Sequence, residues 1–242
     1  MRLHRRDLLA STAILLGGIA ARAGAVSGAL PWQPSAGTPP EPARPGPWLF
    51  FTNEEAAAIE AIADRIIPPD PQTPGGKDAG CAVFIDRQLA GPYGRQEGLY
   101  TAAPFHKGKK EQGPQSDAGP AEQYRKALAA LDRYCRANRN NRAFADLSDA
   151  EKDDILAGLE SSRIALEGAD GKEFFEAILK DVQQGFFADP LYGGNRDMVA
   201  WKMIGYPGAR YDYRDWVSRH NERFPLPPVS IMGRPGWMPG KA

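Results

Sequence analysis

The fold class this sequence predicts is mainly α: an irregular helical single domain with long loops and an extended, aromatic and proline-rich C-terminal tail. Three observations predict it. Apolar residues recur at helical spacing in five separate segments, no segment sustains an alternation of period two, and prolines and glycines concentrate outside the periodic stretches. A chain of 242 residues with 42% hydrophobic side chains can bury one sizeable core. Thirty basic and thirty acidic side chains cancel, so there is no basic excess for a nucleic-acid footprint.

Residues 1–25 read as a targeting segment. Arg2, His4, Arg5 and Arg6 form a basic stretch ahead of a moderately apolar run, Leu8 to Ala20, and Ala21-Arg22-Ala23 offers small residues for cleavage. That run is too short to cross a hydrocarbon layer of ~30 Å comfortably. Arg5-Arg6 followed by Asp7-Leu8-Leu9 matches a twin-arginine signal, and Arg22 beside the cleavage site favours the same route. Residues 26–47 read as a linker, because Pro31, Pro34, Pro39, Pro40, Pro42, Pro45 and Pro47 among small residues keep the chain extended. The domain is expected over 48–242.

The first predicted helix begins at a Thr52/Glu55 capping box, carries Ile59, Ile62, Ala63, Ile66 and Ile67 on one face, and stops at Pro68-Pro69. A second starts after Asp78 with Cys81, Phe84, Ile85 and Leu89 inward and ends at Gly91-Pro92. From Tyr93 to Gly119 the chain reads as a long irregular loop, a common place for binding surfaces. A third helix spans about 120–138 with Tyr124, Leu128, Leu131 and Cys135 inward. A fourth starts at the Ser148/Glu151 capping box with Ile155, Leu156 and Leu159, and a fifth covers roughly 172–184 with Phe174, Phe175, Ile178, Leu179 and Val182. The tail from Tyr211 onward, with Trp216, Phe224 and Trp237 among prolines, is expected to wrap over the helices or a partner.

The stretch from Phe186 to Gly208 is unlike an ordinary loop. Asp189-Pro190 opens a turn, Gly193-Gly194 permits positive φ or a close approach, and Asn195-Arg196-Asp197 makes a polar cluster before the apolar Met198, Trp201 and Met203 to Tyr206. Two readings stand. An internal network satisfying loop backbone has first claim for Asp189, Asn195, Arg196 and Asp197; a docking surface is the other, with Arg196 suited to bidentate contacts. As docking residues we name Asp189, Tyr192, Asn195, Arg196, Asp197, Trp201 and Tyr206, with Trp201 as core and Lys202 as rim.

Chemistry-bearing motifs are scarce. The sequence has no Cys-x-x-Cys-His for covalent haem, no Gly-x-Gly-x-x-Gly between strand and helix, no Gly-x-Ser-x-Gly and no His-Glu-x-x-His. Two cysteines fall short of the thiolates an iron–sulfur cluster wants. We therefore expect no cofactor in this chain and name no catalytic, cofactor-binding or metal residue. His106 and His220 read as surface residues, and the pairs Asp64/Asp86 and Glu173/Glu176 as solvated helix charges. Cys81 and Cys135 both fall on apolar faces; an oxidising compartment invites a disulfide between them, while two buried thiols packing as small hydrophobes is the equal alternative.

These pieces together resemble the gluconate 2-dehydrogenase subunit 3 family, the small subunit of membrane-bound, FAD-dependent sugar and sugar-acid dehydrogenases. The resemblance is carried by Arg5-Arg6, by Phe50-Phe51-Thr52 with Glu54-Glu55, by Ala63-Asp64-Arg65-Ile66-Ile67-Pro68 and by Phe84-Ile85-Asp86 with Leu89. Its most specific parts are Phe187-Ala188-Asp189-Pro190 with Tyr192-Gly193-Gly194-Asn195-Arg196-Asp197, and Trp201-Lys202 with Ile204-Gly205-Tyr206-Pro207-Gly208. The Lys- and Gln-rich stretch 107–115 departs from the pattern. The resemblance implies a heteromer: a glucose–methanol–choline-type flavoprotein that binds FAD and oxidises the alcohol, a multihaem cytochrome c carrying haem c as a further subunit, and a non-catalytic small subunit. That subunit would lend its signal to the flavoprotein at the twin-arginine translocase and reach the periplasm with it. A folded-export signal on a chain without a cofactor fits a passenger. The rival expectations are a stand-alone helical carbohydrate-active enzyme and a sugar-binding module.

Overall fold

The computed structural model describes residues 42–97, 103–106, 108–109 and 118–233. The expected targeting segment with Arg5 and Arg6, most of the linker, much of the 93–119 loop and Trp237 lie outside the described residues. Six α-helices follow one another within them: α1 Asn53–Ile66, α2 Cys81–Ala90, α3 Pro120–Asn138, α4 Asp149–Glu160, α5 Gly171–Phe187 and α6 Val199–Ile204. Single 3₁₀ turns lie at Phe144–Asp146, Pro190–Tyr192, Arg196–Met198 and Arg214–Trp216. No strand occurs among the described residues; the only pairing of extended backbone there is isolated bridges.

The five long helices begin and end for local reasons. Thr52 and Ser148 each accept from the backbone N–H three residues on, and Glu55 and Glu151 reach back to close both capping boxes. Asp170 caps α5 by accepting from the N–H groups of Lys172 and Glu173, which starts that helix one residue before the sequence pattern suggested. Pro120 opens α3, where its missing N–H costs nothing.

Helix α5 is the axis of the molecule, touching each of the other five helices. Its Phe174, Ile178, Val182 and Phe186 meet Ile59 and Ile62 of α1, Phe84, Ile85 and Leu89 of α2, Tyr124 and Leu131 of α3, and Ile155 and Leu159 of α4 in one continuous core. Each such side chain contributes on the order of 1.5–3 kcal/mol of burial. Gly185 lets α2 approach α5: a Cβ there would stand 3.0 Å from the ring of Phe84.

One expectation is corrected here. Asp86 is not a solvated helix charge but is wholly buried, sharing the inward face of α2 with Ala82 and Leu89. Its carboxylate accepts from the N–H groups of Leu49 (2.9 Å), Phe50 (2.9 Å) and Phe51 (3.0 Å) and is paired with Arg87. Three successive donors and a guanidinium satisfy the buried charge, and in return the carboxylate pins the chain entering α1. Arg125 finishes the clamp by donating to the Phe50 carbonyl at 2.7 Å while lying 4.2 Å over the Phe50 ring. Asp64 also departs from the expectation: it is half-buried, and accepts from the N–H of Lys77 at 2.9 Å. Glu173 and Glu176 are exposed, as are His106 and His220.

Candidate docking surface

The segment that follows α5 folds by side chains gripping backbone. Asp189 caps the 3₁₀ turn Pro190–Tyr192 by accepting from Leu191 N–H at 2.9 Å, and its two carboxylate oxygens also accept from Ser230 Oγ (2.6 Å) and Ile231 N–H (2.8 Å). One carboxylate thus ties the start of the segment to the returning tail. Gly193 then takes φ 95°, and Gly194 lies so close to α5 that a Cβ would stand 2.0 Å from the Gly185 carbonyl oxygen. The pair therefore serves both uses that Gly-Gly allows: one residue turns, the other approaches.

Asn195 is fully buried and left-handed (φ 44°). Its amide nitrogen donates to the Ala188 carbonyl at 2.8 Å and its amide oxygen accepts from Ala200 N–H at 2.9 Å. The side chain thereby bridges the end of α5 to the first turn of α6, where a short helix has unsatisfied N–H groups. Arg196 N–H donates to the Ala79 carbonyl at 3.0 Å, fastening the segment to the turn before α2. Asp197 (φ 57°) and Met198 (φ 55°) are left-handed too, so the segment holds a sparsely populated backbone that its surroundings must enforce. Trp201 enters the molecule as expected, donating its indole N–H to the Phe187 carbonyl at 2.9 Å and presenting an edge to Tyr206 at 5.0 Å.

The residues named from the sequence therefore divide. Asn195 and Trp201 are interior, Asp189 is a half-buried clamp, and Tyr192, Arg196, Asp197 and Tyr206 face solvent. The internal network holds for Asp189 and Asn195 through their side chains; Arg196 joins it through its backbone alone. Sequence reasoning missed helix α6, since a six-residue element offers too little periodicity to register. Met203 and Ile204, read from the sequence only as part of an apolar run, are 49% and 57% exposed, beside Tyr206 at 46%. A run of large apolar side chains this exposed, on backbone this firmly held, makes the segment a candidate docking surface.

The tail supplies the other wall. Val229 pairs with the chain at Gly208, its carbonyl accepting from Ala209 N–H at 2.5 Å and its N–H donating to the Pro207 carbonyl at 3.3 Å. The loop pinched off between them gathers Tyr213, Trp216 and Phe224, with Phe224 4.8 Å from Trp216 and 6.1 Å from Tyr213. Arg210 lies 4.9 Å over Phe224 and Arg219 4.6 Å over Trp216. Between this cluster and α6 runs an open groove of about 650 Å³, lined by Lys202, Met203, Ile204, Trp216, Arg219 and Arg223 among others.

A second cleft, of about 470 Å³, opens between α3 and the start of α5 and is lined by Tyr93, Gln123, Tyr124, Glu173 and Lys180 among others. Behind it Tyr124 donates its hydroxyl to the buried Asp181 at 2.6 Å. Burial raises the Asp181 carboxyl above its ordinary range and pushes Tyr93 up to about 12, with the nearby Asp181 charge adding to the latter. Neither phenol is poised to act as a base near neutrality. No group of three His, Cys, Asp or Glu side chains is placed to hold a metal among the described residues. Cys81 and Cys135 are buried free thiols with no bond between them, and Cys81 Sγ donates to the Val182 carbonyl at 3.5 Å. Burial pushes their thiols up to about 12 and about 11, which keeps both protonated and unreactive.

Comparison with curated proteins and with solved structures finds no match. A family model does match: residues 53–208, from the first residue of α1 to the glycine that pairs with the tail, fit the description gluconate 2-dehydrogenase subunit 3.

Proposed function

The chain belongs to the gluconate 2-dehydrogenase subunit 3 family, and from that premise we propose that it is the non-catalytic small subunit of a heteromeric, FAD-dependent sugar or sugar-acid dehydrogenase. In this reading it binds the catalytic flavoprotein, supports its maturation and carries it through twin-arginine export to the periplasm. FAD belongs to the flavoprotein, and a multihaem cytochrome c subunit takes the electrons onward. The observation that carries the reading is the exposed apolar run Met203, Ile204 and Tyr206, presented on a segment that Asn195 and Asp189 hold in place. A subunit named as the third of an assembly needs such a face, and aromatic and Arg side chains around it suit a binding hot spot.

The test is co-purification and export. With the full chain present, the flavoprotein is expected in the periplasm, folded and active. Without the chain, or with Arg5→Lys and Arg6→Lys together, both proteins are expected to remain in the cytoplasm. A flavoprotein that is exported and fully active in cells lacking this chain defeats the reading. The Tyr93/Tyr124 cleft favours a second one, a sugar-binding module; calorimetry of the purified chain with gluconate and with glucose checks it, and heat of binding at that cleft, lost on Tyr93→Ala, would favour it.

A further inference from the structure

We propose that the groove between α6 and the aromatic loop receives an acidic segment of the flavoprotein subunit, its carboxylates on Lys202, Arg219 and Arg223 and its apolar side chains on Met203 and Ile204. The inference rests on the small-subunit reading and adds the chemistry of the contact.

Charge carries the first part. The chain as a whole is neutral, yet three cations line this groove against one carboxylate, Glu222. Lys202 and Arg223 are exposed and make no ion pair among the described residues. Arg219 reaches only Glu222, at 3.9 Å, the outer limit of a salt bridge. Some guanidinium groups of the helical body are closely matched by contrast: Arg65 is held by Asp149 and Asp153 at 2.8 and 2.7 Å, and Arg163 by Asp154 at 2.7 Å. Stacking on Trp216 orders the Arg219 side chain through its face, and the N–H groups lie in the plane of the guanidinium, so they stay open to a carboxylate.

Shape carries the second part. The cations sit around a concavity with exposed apolar side chains on one wall. A flat bilayer surface cannot fill a concave groove, whereas an extended peptide can. A second copy of this chain docking through the same face would bring like charges together, which costs several kcal/mol. The walls are held as well: Asn195 anchors the start of α6, and the Gly208–Val229 bridge closes the loop that forms the other wall, which lowers the ordering cost of binding.

The experiment measures the affinity of the purified full chain for its flavoprotein at roughly 0.1 M salt, where exposed charges more than ~10 Å apart are screened. Lys202→Glu with Arg223→Glu changes two exposed side chains that hold nothing else, and circular dichroism verifies the fold. Affinity is expected to fall at least about tenfold, while the same charge change at the exposed Lys172 and Arg136 of the helical body leaves it unaltered. Undiminished affinity in the groove variant overturns the inference and leaves the small-subunit reading intact. Equal loss in both variants overturns it too, since the effect would then be general charge. Groove-dependent binding to phosphatidylglycerol vesicles with unchanged flavoprotein affinity would assign the face to a membrane instead. A wild-type chain that does not hold the flavoprotein at all defeats the reading and the inference together.

Discussion

In the helical body, α1 to α5, apolar stripes meet around one axial helix, and the buried polar groups are few and heavily partnered. In the arm, residues 189–233, the proportions reverse. Only Ala200, Trp201 and Val229 are buried among its large or apolar side chains, while Met203, Ile204, Tyr206, Tyr211, Val217 and Leu226 are exposed. Side-chain-to-backbone hydrogen bonds from Asp189 and Asn195 do the work that packing does in the body. A region held this way can keep its apolar residues outside, because it does not need them for its own stability. That is what the proposed docking surface would require of its scaffold.

The sharpest way to test this contrast is to remove the most heavily partnered buried polar group of the body. Asp86→Ala leaves the N–H groups of Leu49, Phe50 and the buried Phe51, and Arg87, without their acceptor, and is expected to destabilise the whole protein by about 3–5 kcal/mol in denaturant unfolding. A loss confined to residues 49–51, with the global midpoint unchanged, would break the comparison from the body side.

In the arm, Asn195→Ala strands the Ala188 carbonyl and the Ala200 N–H and forces alanine into a left-handed backbone; about 3 kcal/mol is expected. Asn195→Gly removes the same hydrogen bonds but relieves the backbone, so it should cost less by about 1 kcal/mol. Equal costs would show that the conformation carries no strain. Hydrogen exchange should place both losses around 188–201.

Smaller again is Asp189→Ala, at about 1–2 kcal/mol and largely local. The tail around Ser230 and Ile231 should become a protease site while the helical core stays protected. A tail that remains resistant means that Val229 and Gly208 suffice to hold it.

The mildest probe returns to the body. Arg142, and then the Ser148 cap, hold Glu151 down at about 2, against 4.5 ordinarily. A carboxyl depressed in the folded state contributes stability above its ordinary value that disappears as pH falls from 4.5 to about 2. Glu151→Gln should therefore be less stable than wild type at pH 7, with the gap closing across that window. A gap that stays constant down to the acid limit would mean the cap works without the charge.

Much of this architecture was legible because helices announce themselves locally. Ile59, Ile62 and Ala63, or Phe174, Ile178 and Val182, repeat at a spacing that only a helix turns into a stripe, and Thr52/Glu55 and Ser148/Glu151 are caps that need no distant partner. Asp86 was misjudged because charge alone suggested solvent; its place on the Ala82–Leu89 face was the available clue, but the three N–H groups it accepts from lie more than thirty residues upstream.

Within the candidate site the same division holds. Gly193-Gly194 foretold a turn and a close approach, and Trp201 foretold a buried anchor, since both depend on what those residues can do by themselves. Whether Asn195 faces inward and Arg196 outward is a matter of which neighbour offers an acceptor. Ala188 and Ala79 do so only once α5 and the turn before α2 are in place. The groove belongs entirely to this second kind: Lys202 and Arg223 become neighbours when the Gly208–Val229 bridge closes the loop between them. Local periodicity and capping are short-range and can be read along the chain, whereas pairing a buried polar group or shaping a concavity takes side chains that only folding brings within a few ångströms of each other.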